Sequence, residues 1–105
     1  TVTHPILPNV DVKQLEFELT ESKGKLEKEI GREMKIFCYP DGGCDEKVRN
    51  AAEAANYDCA VTTEFGFNDE KDDLFLLKRI SAEPSMRHFV QDTSGAENFK
   101  KLFRR

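Results

Sequence analysis

This sequence has neither a long apolar run nor an excess of basic charge. No apolar stretch in its 105 residues approaches the roughly 20 residues of a membrane-spanning helix. Its 20 Asp and Glu outnumber its 16 Lys and Arg, which gives a net charge of −4, whereas a nucleic-acid-binding surface normally carries clustered basic charge. We therefore expect neither a membrane span nor a nucleic-acid partner.

Cysteine is also scarce, with only Cys38, Cys44 and Cys59. So few thiols, odd in number, do not predict a disulfide-stapled secreted scaffold, and no C-x-x-C pair indicates zinc or dithiol chemistry. Cys38 and Cys59 fall in two β-prone runs, where we expect buried free thiols; a bridge from Cys38 to either of the others is the alternative. Residues 1–10 lack the basic start and apolar run of a secretion signal, but removal or truncation would give the same result. The compartment, cytoplasmic or extracytoplasmic, stays undecided.

What the sequence does contain predicts one folded domain over residues 1–105. Eight Phe and two Tyr can bury enough apolar area to offset the entropy of ordering the chain. A chain of this length has room for a single core. No internal repeat or low-complexity segment is present.

The spacing of apolar residues predicts an α/β fold. Steps of three and four predict a helix from about Val12 to Ile30, capped by Asn9 or Asp11 and ended by Gly31. The further predicted elements are a strand at 35–39, a turn at 40–43, a helix at 45–55, a strand at 57–63, an exposed acidic loop at 65–73, a strand at 74–80, a short helix from Pro84 and a last helix at 95–103. Strands joined through helices pair in parallel, so we expect strands 36–39 and 58–63 to be parallel neighbours.

Several pieces of the chain resemble, in order, one enzyme family. These pieces are 26–31, 36–42, 45–48, 51–57, 60–63, Gly66, Asn68 and 77–80, the last with a Leu-x-Arg-Ile signature. They are similar to the polysaccharide deacetylases of carbohydrate esterase family four, the NodB-homology domains, in which they form the later strands and helices of a distorted (β/α) barrel. The resemblance spans residues 1 to about 82, with 83–105 a loosely similar tail. It implies a partial barrel segment from the C-terminal part of such a domain.

The first five residues, Thr1-Val2-Thr3-His4-Pro5, resemble the end of the family's metal motif, which reads His, Ser or Thr, two residues, then His. The resemblance implies that His4 is the second of two histidine ligands of a divalent metal such as zinc, the first lying directly before Thr1. The family's Thr-Phe-Asp-Asp motif, which supplies the catalytic base and a metal ligand, has no counterpart in this sequence. A catalytic zinc takes about three protein ligands plus water, so we expect the isolated chain to be inactive.

A second family motif, commonly Arg-x-Pro-Tyr-Gly, corresponds to Cys38-Tyr39-Pro40-Asp41-Gly42. The resemblance implies that the Asp41 backbone amide, shaped by Tyr39 and Pro40, binds the developing oxyanion. Cys38 stands where many members have Arg, and Asp41 where they have Tyr. A backbone donor survives a change of side chain, but a carboxylate repels a nearby oxyanion, so reduced or altered activity is expected. The alternative is an ordinary strand-to-helix turn.

Two other features favour structural interpretations. His88 superficially matches the family's motif for the catalytic acid, but it lies beyond the Arg-Ile signature, so we expect a surface histidine. The acidic segment 69–73 lacks the alternating ligands and central glycine of a calcium loop, so we expect a solvated loop.

Two classes of function are consistent with these features. One is part of a metal-dependent N-deacetylase that acts on an N-acetylated oligo- or polysaccharide. The other is a non-catalytic α/β module with a structural or interaction role. A sheet cut from a barrel leaves an unpaired edge, which predicts a homodimer. The alternative is a monomer in which the long first helix and the tail from Pro84 to Arg105 fold over the gap.

Overall fold

A computed structural model describes residues 1–82 and 84–94. The helices are α1 (Val12–Ile30), α2 (Glu46–Ala54) and α3 (Met86–Thr93), the strands are β1 (Ile36–Cys38), β2 (Cys59–Phe65) and β3 (Leu77–Arg79), and single 3-10 turns occur at Leu7–Asn9 and Pro40–Gly42. The helix predicted at 95–103 lies outside the described residues. Among those that are described, no helix is both long and apolar enough to cross a membrane.

Helix α1 begins and ends at residues that the sequence marks for this purpose. The Asp11 carboxylate accepts a hydrogen bond of 2.8 Å from the Gln14 amide, which satisfies one of the free amides of the first turn. Gly31 ends the helix in the left-handed conformation, with φ of +76°, which glycine adopts without steric cost. Of the residues that follow the spacing of three and four, Leu15, Leu19 and Ser22 are buried, whereas Val12, Leu26 and Ile30 are exposed.

The three strands form one parallel sheet in the order β1-β2-β3. Phe37 pairs with Ala60 in the β1/β2 register, and Val61 pairs with Leu77 across β2/β3. The β2/β3 ladder is irregular between Val61 and Phe65. This topology confirms the α/β prediction and the parallel pairing of the first two strands. The third strand is shorter than the predicted 74–80.

Among the residues that the structure describes, the sheet has one covered face and one bare face. Phe37 and Ala60 are buried in a core that also includes Leu15 and Leu19 of α1 and Val48 of α2. Side chains of adjacent residues in a strand point to opposite faces, and the neighbours of Phe37 in β1 are exposed: Ile36 is 63% exposed, and Cys38 is also open to solvent. In the described part of the chain, α1 and α2 therefore pack on the side of the sheet that Phe37 faces, and the opposite side is the bare face.

The bare face corrects the prediction for the cysteines. Cys38 is exposed, and Cys44 and Cys59 are half-buried, so none of them is a fully buried core thiol. The reason is the two-residue period of β1, which gives the inward position to Phe37 and turns Cys38 to the open side. All three thiols are free, so the alternative of a bridge is not observed.

Candidate functional site

Two of the residues singled out from the sequence meet at the carboxyl end of β1. His4 Nε2 lies 3.9 Å from Asp41 Oδ2, and both side chains are largely exposed. They are 37 positions apart in the sequence, so the fold and not the local sequence brings them together. Tyr39 and Pro40 are buried and form the base of the same turn.

The turn after β1 has an unusual backbone. Asp41 and Gly42 both adopt positive φ, at +52° and +72°. The amide of Gly42 donates to the Tyr39 carbonyl at 2.9 Å, and that of Gly43 donates to the Pro40 carbonyl at 3.0 Å. Proline has no N–H, so Asp41 carries the one amide of residues 40–43 without a hydrogen-bond partner in the described part of the chain. A strained turn that presents a free N–H is suited to receive a ligand oxygen.

Gly42 fits the turn for a second reason. A Cβ at this position would clash with Thr63 Oγ1 of β2. The turn therefore packs directly on the neighbouring strand, and glycine satisfies both the positive φ and the close approach.

Tyr39 anchors the start of the turn in the core. Its ring packs edge-on against Phe37, with centroids 5.4 Å apart, and its hydroxyl donates to the Phe75 carbonyl at 2.8 Å. Burial raises the pKa of Tyr39, so the hydroxyl stays protonated and can donate at neutral pH. This contact ties the turn to the segment that leads into β3.

An ion pair that the sequence analysis missed holds the segment that leads into β3. Arg49 of α2 donates from Nε to Asp73 Oδ2 at 2.9 Å and from Nη2 to Asp73 Oδ1 at 3.1 Å. Asp73 also accepts the Phe75 amide at 2.9 Å, and the guanidinium lies 5.1 Å from the centroid of the Phe75 ring. The hydrogen bonds from Arg49 lower the pKa of Asp73. The predicted solvated loop at 69–73 is thus fixed at its last residue.

A second missed residue, Glu18 of α1, holds the segment that carries His4. Its carboxylate is fully buried and accepts the amides of Val2 at 2.6 Å and Thr3 at 2.9 Å, together with the Thr3 hydroxyl. Gln14 Nε2 donates to it at 2.9 Å. Burial by itself would raise the pKa of Glu18, but these hydrogen bonds outweigh burial and lower that pKa. The apolar spacing of α1 gave no signal for a buried acid in the core face.

The described residues do not form a metal site by themselves. Across residues 1–82 and 84–94, no three His, Cys, Asp or Glu side chains come together in a way that could hold a metal ion. His4 offers one exposed imidazole, and a single imidazole does not fix the geometry of a catalytic zinc. His88 lies on α3 and is exposed, in line with the expected surface histidine.

Comparisons with known proteins point to one family. The family profile described as polysaccharide deacetylase matches residues 1–60. Over 86 residues the chain is 29% identical to YxkH of Bacillus subtilis (strain 168), whose name assigns it provisionally to the polysaccharide deacetylases; the match covers 82% of this chain and 31% of YxkH.

Solved structures agree with this match. Streptococcus pyogenes deacetylase PplD in complex with acetate superposes with a TM-score of 0.78 at 27% identity, covering 85% of this chain and 40% of PplD. BC0361, a polysaccharide deacetylase from Bacillus cereus, gives a TM-score of 0.69 at 31% identity, covering 99% of this chain and 30% of BC0361. The chain thus spans about a third of the length of the relatives it matches.

Proposed function

Because the chain belongs to the polysaccharide deacetylase family, we propose that it forms the later strands and helices of a metal-dependent N-deacetylase domain. The proposed reaction is the hydrolysis of acetyl groups from an N-acetylated oligo- or polysaccharide. A divalent metal, zinc or a similar ion, held in part by His4, would supply polarisation of the acetyl carbonyl and a lowered pKa of bound water, and a carboxylate would accept the proton. The chain would contribute an oxyanion turn and one histidine.

The approach of His4 to Asp41 is the observation that carries this proposal. Each residue belongs to a different remnant of a family motif, and their side chains come within 3.9 Å of each other at the carboxyl end of β1. In barrels of parallel strands, active sites lie at this end of the sheet. An ordinary strand-to-helix turn gives no reason for a histidine with strained backbone, at φ of +58°, to lie beside it.

The residues of the turn have separate proposed roles. The free N–H of Asp41 donates to the acetyl oxygen as that oxygen becomes negative, and the buried Tyr39 and Pro40 hold the N–H in place. The Asp41 carboxylate is exposed beside the same position, and its charge opposes the developing oxyanion. Cys38 brings no guanidinium where many family members have Arg. Turnover should therefore be slower than in relatives with Arg and Tyr at these positions.

His4 is the proposed metal ligand of this chain. Among the described residues it belongs to no group of three potential metal ligands, so we propose that the remaining ligands and the catalytic base come from other residues. The isolated chain should accordingly lack activity.

Acetate release from acetylated chitooligosaccharides tests the proposed incompleteness. We expect no release by the 105-residue chain with zinc, cobalt or nickel added. Robust turnover that His4→Ala abolishes would contradict this expectation, since it would mean that the missing ligands come from elsewhere, for example from a second copy of the chain.

The gene upstream of the codon for Thr1 distinguishes an enzyme part from a non-catalytic module. We expect it to encode Thr-Phe-Asp-Asp and a histidine directly before Thr1, and we expect the longer product to release acetate. His4→Ala in that product should lower kcat/KM by about 100-fold or more, because even the loss of a residue that only orients a metal ligand costs about 10–100-fold. Translation that starts at this point in the gene would instead favour the non-catalytic α/β module.

A further inference from the structure

Glu18 is the most deeply buried ionisable side chain among the described residues, and the proposed reaction does not use it. Its side chain has no exposure to solvent. A buried carboxylate is costly unless hydrogen bonds satisfy its oxygens. Glu18 meets this condition with four donors, of which three belong to Val2 and Thr3 and one to Gln14.

These hydrogen bonds act on the residues directly before His4. Both amides that Glu18 accepts lie within two positions of the histidine, and the Thr3 hydroxyl adds a third contact from the same segment. On the other side of His4, Leu7 is fully buried in the core. His4, whose backbone is strained, thus lies between two fixed points: the hydrogen bonds of Val2 and Thr3 to Glu18 on one side and the buried Leu7 on the other.

The backbone of His4 needs such anchors. Its φ is +58°, a left-handed conformation that costs a residue with a Cβ about 1–3 kcal/mol. The following residue is Pro5, and a residue before proline favours extended conformations instead. Without contacts on both sides, His4 would relax to the extended region and its imidazole would leave the Asp41 turn.

The geometry points to Glu18 as a positioning residue that fixes the conformation of His4 and so places its imidazole beside the Asp41 turn. The catalytic meaning of this role rests on the proposed function, but the positioning itself does not. In the motif implied by the resemblance, Val2 and Thr3 lie between the two histidines. A single buried carboxylate would therefore set the spacing of both ligands.

NMR of the 105-residue chain tests this inference on three variants. In Glu18→Gln the side chain keeps its size but presents an amide N–H₂ to the backbone donors. We expect the exchange rate of the Thr3 amide to rise about tenfold or more, because a hydrogen bond to a charged acceptor contributes at least that factor. The HN–Hα coupling and the Cα shift of His4 should change from left-handed to extended values.

Glu27→Gln is the matched control on the same helix. Glu27 also accepts a backbone amide, that of Met34 at 3.0 Å, but it lies at the other end of α1. We expect this variant to lose stability without changing the signals of Thr3 or His4.

Thr3→Val keeps the carboxylate of Glu18 and removes only the hydroxyl donor. It is the variant to use if Glu18→Gln does not fold, and it should shift the His4 signals in the same direction.

Unchanged His4 backbone signals and an unchanged exchange rate of the Thr3 amide in folded Glu18→Gln would overturn the inference. Unchanged His4 backbone signals in Thr3→Val would also overturn it. The same would follow if Glu27→Gln moved the His4 signals equally, since the effect would then be a general loss of stability. None of these readouts depends on deacetylase activity. Failure of the proposed function therefore leaves the positioning role standing, and failure of the positioning role leaves the proposed function standing.

Discussion

At the scale of single residues, the chain contains two glycines with opposite requirements. Gly42 has φ of +72°, and a Cβ there would meet Thr63 Oγ1. Gly24 lies inside α1, and apart from the adjacent residues and the helix's own backbone a Cβ at its position would have no atom within 4 Å. The first glycine is needed for the geometry of the turn. The second only adds backbone freedom to the unfolded chain.

Gly42→Ala should destabilise the protein by about 2–4 kcal/mol, the sum of left-handed strain and steric overlap with β2. Urea denaturation monitored by circular dichroism gives the free energy of unfolding. Gly42→Ala combined with Thr63→Ala should recover part of the loss, because Thr63 supplies the clashing hydroxyl. A single variant as stable as the parent chain would show that the turn does not pack on β2 as described.

Gly24→Ala should stabilise the protein by about 0.5–1 kcal/mol, the difference between alanine and glycine in a helix interior. The same urea experiment measures this change, and Gly42→Ala serves as the contrasting substitution. A loss of stability in Gly24→Ala would mean that α1 packs more tightly at this position than the open space around it indicates.

How far the site could be predicted depends on whether a residue carries a local signal. His4 and the turn of Tyr39, Pro40 and Asp41 lie in short motifs, so their resemblance to a family could be seen from the sequence. Glu18 carries no such signal, because a glutamate on a mostly Lys and Glu helix looks like a solvent-exposed residue. Its role comes from contacts with residues about 15 positions away, which no local pattern encodes.

At the scale of elements, periodicity predicted the order of helices and strands but not all their boundaries. Steps of three and four identified α1, because a helix that buries one face repeats about every 3.6 residues. Runs of β-prone residues identified β1 and β2. The start of β3 was misplaced: Leu74 and Phe75 are apolar but precede the strand, which spans Leu77–Arg79. Asp73 accepts the amide of Phe75 and is itself held by its ion pair with Arg49. The spacing of apolar residues gives no sign of this ion pair.

The Arg49–Asp73 ion pair should make stability depend on pH. The pKa of Asp73 is lowered in the fold by the hydrogen bonds from Arg49, so its contribution is fully present above the unfolded carboxyl pKa of about 3.9 and is lost as the pH falls through the lower, folded value. Asp73→Asn should therefore be less stable than the parent chain at pH 7, with the difference shrinking below about pH 4.

Urea denaturation between pH 2 and pH 7 measures this dependence. The matched control is Asp58→Asn, an exposed aspartate whose side chain makes no ion pair or hydrogen bond among the described residues. This control should change stability little at any pH in the range. A difference between parent and Asp73→Asn that is constant from pH 2 to pH 7 would contradict a role for the ionised carboxylate.

At the scale of the whole molecule, the uncovered side of the sheet is the main feature. Ile36 is 63% exposed on the bare face of β1, and β1 is an edge strand with β2 on one side only. Helix α3 does not relieve the exposure, because its own apolar residues Met86, Phe89 and Val90 are all exposed. In a complete barrel, further strands would cover this face and pair with this edge.

An edge and an apolar face of this kind favour self-association, so we expect a dimer at micromolar concentration. Sedimentation equilibrium should give a species of twice the chain mass of 12.0 kDa. Ile36→Glu places a charge on the bare face and should return the chain to a monomer, whereas Leu26→Glu, on α1 and 49% exposed, should leave the dimer intact. A single species of about 12 kDa for the parent chain would contradict the dimer.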